Sequence, residues 1–146
     1  MDKVDTRFLQ SLLGYNARRA SLSIVSVFYD RMARYRLSTV DFSVLSVIQY
    51  NSGITSRQLC HTLNILPPNF VGLLAKLQER GLVQRSPHPD DKRAISLSLT
   101  EPGIALMLKA QKTAKDLEQE AASKLSPAEQ KTIMRLLQKL YTSDSS

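Results

Sequence analysis

Past Gly81 the apolar residues stop recurring every three or four positions and begin to alternate, and this change of period constrains the fold more than any other feature of the chain. Ile95-Ser96-Leu97-Ser98-Leu99 is apolar and polar in strict alternation, the pattern of a strand with one buried face. Leu82-Val83-Gln84-Arg85 reads as its partner. Between them, Ser86-Pro87-His88-Pro89-Asp90-Asp91-Lys92-Arg93 is turn-rich and charged, a hairpin tip stiffened by two prolines. This hairpin follows four helices and precedes two more, the order of a winged helix.

Those helices are legible from their caps. From Thr6 to Tyr35, Leu9, Leu13, Ala17, Ala20, Ile24 and Val27 form a stripe that Val25, Phe28 and Met32 widen. This predicts one unbroken amphipathic helix, with Arg31, Arg34 and Arg36 at its exposed end. Ser38-Thr39-Val40-Asp41 opens a second helix, which Asn51-Ser52-Gly53 closes. Thr55-Ser56-Arg57-Gln58 is a capping box for a short third helix ending near Asn64. Leu66-Pro67-Pro68 starts a fourth, which runs to Arg80 and stops at Gly81. After the hairpin, Thr100-Glu101-Pro102-Gly103 begins a fifth helix with Leu106, Ala110, Ala114, Leu117 and Ala121 on its stripe. Ser126-Pro127-Ala128-Glu129 caps a sixth, bearing Ile133, Leu136, Leu137 and Leu140, and the Thr142–Ser146 tail is too polar to pack. The expected fold is mainly α with a small β-hairpin wing: a winged helix-turn-helix over residues 37–100, flanked by long dimerisation helices at 1–36 and 101–146, in one domain spanning 1–146. The outer helices offer more apolar stripe than one chain can cover, which predicts a two-fold homodimer.

In a helix-turn-helix the second helix enters the major groove, so its outer face must be polar or small. Stepping 100° per residue along the fourth helix puts Phe70, Leu74 and Leu77 on the core side, with Leu73 and Val71 at its margins. Asn69, Gly72, Lys76 and Arg80 fall on the other side, with Ala75 and Glu79 beside them. Asn suits adenine, Lys suits guanine or phosphate, and Gly72 leaves room for the helix to approach base edges. At the wing tip, Lys92 and Arg93 fit a narrow minor groove, and Asp91 is expected to pair with the Arg93 side chain and hold it extended. Pro68 at the helix entry, Arg57 on the third helix, and Arg85 and His88 on the wing complete the expected DNA contacts. The charge agrees. There are 20 Lys plus Arg against 13 Asp plus Glu, a net +7, of which +6 lies in residues 1–100.

Asp91-Lys92-Arg93-Ala94-Ile95-Ser96-Leu97-Ser98-Leu99-Thr100, read as Asp-x-Arg-x-x-x-Leu-x-Leu-Thr, resembles the wing signature of the MarR family of bacterial transcription regulators. Leu77-Gln78-Glu79-Arg80-Gly81-Leu82-Val83 resembles the family's recognition-helix ending, and Leu99 to Gly103 its entry to the fifth helix. The resemblance spans essentially the whole chain. It implies a homodimer joined through the first, fifth and sixth helices, double-stranded DNA with a pseudo-palindromic operator as partner, and release by a small aromatic or phenolic effector in a cleft between dimerisation and DNA-binding parts. Tyr15, Arg18, Arg19 and Phe42 are the candidate effector residues, Arg pairing an acid and the aromatics walling it. The sequence departs from the family pattern at Leu66-Pro67-Pro68-Asn69, where many relatives carry Ser or Thr on phosphates.

Other functions find little in the sequence. Cys60 is the one cysteine, read as a packed thiol in a reducing compartment, and His61 and His88 are the only histidines, so neither a zinc set nor a catalytic constellation is expected, and no cofactor. The absence of a signal pattern or a ~20-residue apolar run points to a cytoplasmic protein away from membranes. The alternative reading is a winged-helix protein-interaction module without specific DNA binding.

Overall fold

The structure is a computed structural model that describes residues 3–143. The chain divides into two units, residues 28–114 and residues 1–27 with 115–146. The end of the polar tail, 144–146, lies outside the described residues.

Every capping box expected from the sequence forms. Ser38 accepts from the Asp41 amide and Asp41 returns a bond to the Ser38 amide, opening α3 (Thr39–Tyr50). The Thr55–Gln58 pair does the same for α4 (Ser56–Leu63), and Ser126 with Glu129 for α7 (Pro127–Tyr141). The amide of Ser126 and its side chain hold the Glu129 carboxyl below the usual carboxylate range. Asn64 ends α4 in the left-handed region at φ 52°, and α5 (Pro67–Glu79) follows at once. Gly81, at φ 72°, turns the chain out of α5 toward the strands.

The first helix departs from expectation. Instead of one element from Thr6 to Tyr35, there is a short α1 (Arg7–Gln10), a break, α2 (Leu13–Met32) and a 3-10 turn at Ala33–Tyr35. Polar side chains compete for the backbone at the break. Ser11 Oγ donates to the Phe8 carbonyl, and Asn16 Nδ2 donates to the Gln10 and Leu12 carbonyls, both at 2.8 Å. The apolar spacing continues across this point, so periodicity alone does not reveal it.

The sheet has three strands, not two. β2 (Val83–Pro87) and β3 (Ile95–Leu99) pair antiparallel with Val83 opposite Leu99, and β1 (Ile54–Thr55) adds to the other edge of β3 with Ile54 opposite Leu97. Two residues are too few to show alternation, which hid β1 from the sequence. The core of this unit comprises Met32, Val44, Leu45, Ile48, Leu59, Phe70, Leu74, Leu77, Leu97 and Met107, all nearly or completely buried. α6 (Glu101–Ala121) enters next to β2 at Gly103. A Cβ on Gly103 would run into the Leu82 carbonyl, so the close approach of α6 to the start of the wing requires glycine here. The 3-10 turn is tied to α6 through Thr113, whose hydroxyl meets Arg34 Nη2 at 3.1 Å and the Tyr35 hydroxyl at 3.0 Å.

In the other unit, α1 and α7 bury none of their side chains, while Leu117 on α6 is buried. Among the described residues no helix is long and apolar enough to cross a membrane.

Candidate nucleic-acid interface

The helix-turn-helix is α4, the turn Asn64-Ile65-Leu66, and α5. The turn is closed by the Ile65 amide on the Cys60 carbonyl at 2.9 Å, and Leu66 in extended conformation leads into α5. Phe70, Leu74 and Leu77 are buried, while Pro68, Asn69, Gly72, Ala75 and Lys76 are exposed. The amphipathic division of α5 therefore follows its sequence, with Val71 as an exception: placed at the core margin by angle, it is 69% exposed. Leu66, at the helix entry, is 68% exposed. Gly72 meets nothing within 4 Å of where its Cβ would be, so no neighbour in the chain demands glycine.

The start of α5 has an unusual electrostatic property. A helix N-terminus ordinarily offers free amides to an anion. Here Pro67 and Pro68 have no amide, and those of Asn69 and Phe70 both donate to the Leu66 carbonyl, at 2.9 and 3.1 Å. Side chains are therefore the main donors this entry offers to an anion. Arg57 on α4 and Arg85 on β2 are exposed and line a cleft with Pro67 at this entry, and Lys76 is exposed further along α5. Arg57 and Arg85 share a cleft of about 530 Å³ with His61, Cys60, Phe70 and Val71. Cys60, which also lines that cleft, is buried, and desolvation pushes its thiol pKa up.

At the wing tip Lys92 and Arg93 are exposed, and so are Asp90 and Asp91. Asp91 supports the tip differently from the expected ion pair: its Oδ1 accepts the backbone amide of Arg93 at 3.0 Å. A carboxylate two residues before an amide closes an Asx turn, which a short side chain does more readily than it reaches a guanidinium. His88, half-buried, accepts the amides of Asp90 and Asp91 on Nδ1 at 3.1 and 3.0 Å. Neither role was readable from spacing.

A family model described as the MarR family matches residues 37–94, from the start of α3 to the end of the wing loop. The multiple antibiotic resistance protein MarR of Salmonella typhimurium is 32% identical over 117 residues, covering 76% of this chain and 81% of that protein. This chain belongs to the MarR family. The HTH-type transcriptional repressor NicR of Pseudomonas putida is 26% identical over 132 residues, covering 90% of this chain and 84% of NicR. The solved structure of the transcriptional repressor CouR bound to a 23-mer DNA duplex superposes with a TM-score of 0.91 at 32% identity, over 97% of this chain and 100% of CouR. CouR has also been solved bound to p-coumaroyl-CoA, with a TM-score of 0.83 over 94% of this chain and 97% of that one.

One residue expected on the outward face of α5 turns instead toward the chain's own backbone. Arg80 does not belong with Asn69 and Lys76, because its guanidinium donates to the Arg36 carbonyl at 2.8 Å and the Tyr35 carbonyl at 2.9 Å. It caps the 3-10 turn, where Arg36 turns left-handed at φ 51°. The fork of donors satisfies two carbonyls at once, which explains an arginine at the end of α5 without DNA. The candidate effector residues fall in different units. Tyr15, half-buried, and Arg18 and Arg19, exposed, lie on α2 in the unit of residues 1–27, whereas Phe42 lies on α3 in the other, half-buried with its ring edge-on to Phe28 at 5.8 Å.

Proposed function

We propose that this protein is a transcription repressor that binds duplex DNA as a homodimer on a pseudo-palindromic operator and releases it on binding a small effector. The observation that carries the DNA reading is the division of α5: Phe70, Leu74 and Leu77 fill the core while Asn69, Gly72 and Lys76 stand exposed, with Arg57, Arg85, Lys92 and Arg93 exposed on the same unit. In this reading Pro68, Asn69 and Gly72 approach base edges, Lys76 reads a base or meets phosphate, Arg57 and Arg85 meet backbone, and Lys92 and Arg93 enter a minor groove, while His88, expected from the sequence to meet backbone as well, serves the wing through the amides it holds. That Pro67 and Pro68 lack amides and those of Asn69 and Phe70 bond to the Leu66 carbonyl supports a role for these cations in attracting phosphate. That CouR, a repressor of the same fold, is bound to a DNA duplex in its solved structure supports duplex DNA as the partner. The protein works in the cytoplasm and performs no chemistry of its own.

Dimerisation is supported by the exposed leucines of α7 and by Phe8, Leu9 and Leu13 near the N-terminus. The effector is an aromatic acid, a class consistent with the p-coumaroyl-CoA bound by CouR, and Arg18 pairs its acid group beside Tyr15 one turn earlier on α2. A 100-fold release requires the ligand to favour the DNA-incompetent form by about 2.7 kcal/mol.

Selection of duplexes from a random library, followed by fluorescence anisotropy, tests the reading. An inverted repeat should be enriched, and Lys76→Ala should weaken it more than random DNA if Lys76 reads a base. Equal affinity for enriched and random duplexes would instead favour an interaction module. Arg18→Ala should abolish release by aromatic acids and leave ligand-free DNA affinity unchanged. A variant still released like wild type would remove Arg18 from the effector site.

A further inference from the structure

We propose that His88 is the positioning residue of the wing: its Nδ1 is the fixed acceptor that folds residues 88–91 into the turn from which Arg93 projects. This rests on the reading that the wing meets DNA. The tip is poor in means of folding itself, since Pro87 and Pro89 contribute no amide donors and Asp90 to Arg93 are exposed. What organises it is a chain of hydrogen bonds. The amides of Asp90 and Asp91 both donate to His88 Nδ1, at 3.1 and 3.0 Å. The His88 amide donates to the Ala94 carbonyl at 3.3 Å, closing the loop at its base. Asp91, its own amide now fixed, accepts the Arg93 amide on Oδ1 at 3.0 Å and the Ala94 amide on its carbonyl at 3.1 Å. Two turns are thus linked in series, and the residue whose amide His88 holds is the one that holds Arg93.

The chemistry sets a condition on the ring. An imidazole nitrogen that accepts two amides must present its lone pair, so the proton resides on Nε2 and an imidazolium cannot serve. The geometry is that of an Asx turn with His in place of Asn or Asp. The acceptor Nδ1 is bonded to Cγ, as is Oδ1 of asparagine, so asparagine is the one neutral replacement that puts an acceptor in the same place. The exposed amides would find water if the ring were lost, so the consequence is a disordered tip and not an unfolded protein. A loose Arg93 must be ordered as it binds, which weakens binding.

Nitrogen-15 NMR of the free protein and anisotropy with the selected operator test this together. In wild type at neutral pH, His88 Nδ1 should show the shift of an unprotonated imidazole nitrogen. His88→Ala should collapse the Asp90 and Asp91 amide shifts toward random-coil values and lower operator affinity roughly tenfold, the scale of one lost charge-positioning hydrogen bond. His88→Asn should restore both, and His88→Gln, whose amide sits one carbon further out, should restore neither. A proton on Nδ1, or His88→Asn as weak as His88→Ala, or His88→Ala binding like wild type while Arg93→Ala does not, would overturn the proposal. If Arg93→Ala itself binds like wild type, the reading of the wing as a DNA contact fails, and the NMR results alone decide whether His88 builds the turn.

Discussion

Residues 28–114 and the remainder of the chain are built from the same amphipathic pattern and put it to opposite ends. In the first unit the stripe of α5 disappears into the core, with Leu74 and Leu77 2% exposed or less. In the second, α7 carries Ile133, Leu136, Leu137 and Leu140 at the same spacing, yet they remain 40–60% exposed. An apolar stripe signals that a helix will be covered without saying by what. The winged unit supplies its own cover, whereas the helices outside it carry a surface suited to a second copy of the chain, of the kind obligate dimers bury.

Breaking that surface should have the largest effect. Leu137→Asp should convert a species of twice 16.4 kDa to a monomer in light scattering and abolish operator binding. A variant that remains dimeric would place the dimer contact elsewhere. Truncations sharpen the contrast. Leu77→Ala should cost about 2–5 kcal/mol through its cavity, while Leu137→Ala should make the melting temperature depend more steeply on protein concentration. A concentration dependence shared equally by both variants would erase the distinction between the two units.

Smaller effects are expected where backbone comes close to backbone. Gly103→Ala drives a methyl into the Leu82 carbonyl and should cost about 1–3 kcal/mol by denaturant unfolding. Gly72→Ala should do the reverse. With open space around it, the added methyl should stabilise the free protein by up to about 1 kcal/mol while weakening operator binding. A Gly72→Ala variant that is more stable and binds DNA unchanged would remove the case for close approach at that position.

The caps, the helix order, the wing strands and the inward face of α5 were legible because each rests on neighbours in sequence: Ser38 with Asp41, Thr55 with Gln58, Ser126 with Glu129, Phe70 with Leu74. What escaped depends on partners that spacing does not identify. Arg80 looks like a surface cation until Tyr35 and Arg36, 45 and 44 residues away, bring their carbonyls to it. β1 exists only because β3 offers an edge, and the break before α2 is made by an asparagine reaching back six residues. Asp91 and His88 are local, but their bonds go to amides, and side-chain chemistry alone suggests charges.

The account turns on the wing, where an exposed arginine is held by its backbone and its side chain is left for a partner. Operator affinity of wild type and Arg93→Ala, measured across a salt series, tests this most directly. The account predicts a loss of about 1–3 kcal/mol per half-site and a shallower salt slope, by about one phosphate contact per wing, with the melting temperature unchanged. Equal affinity and an identical slope for the two proteins would contradict it.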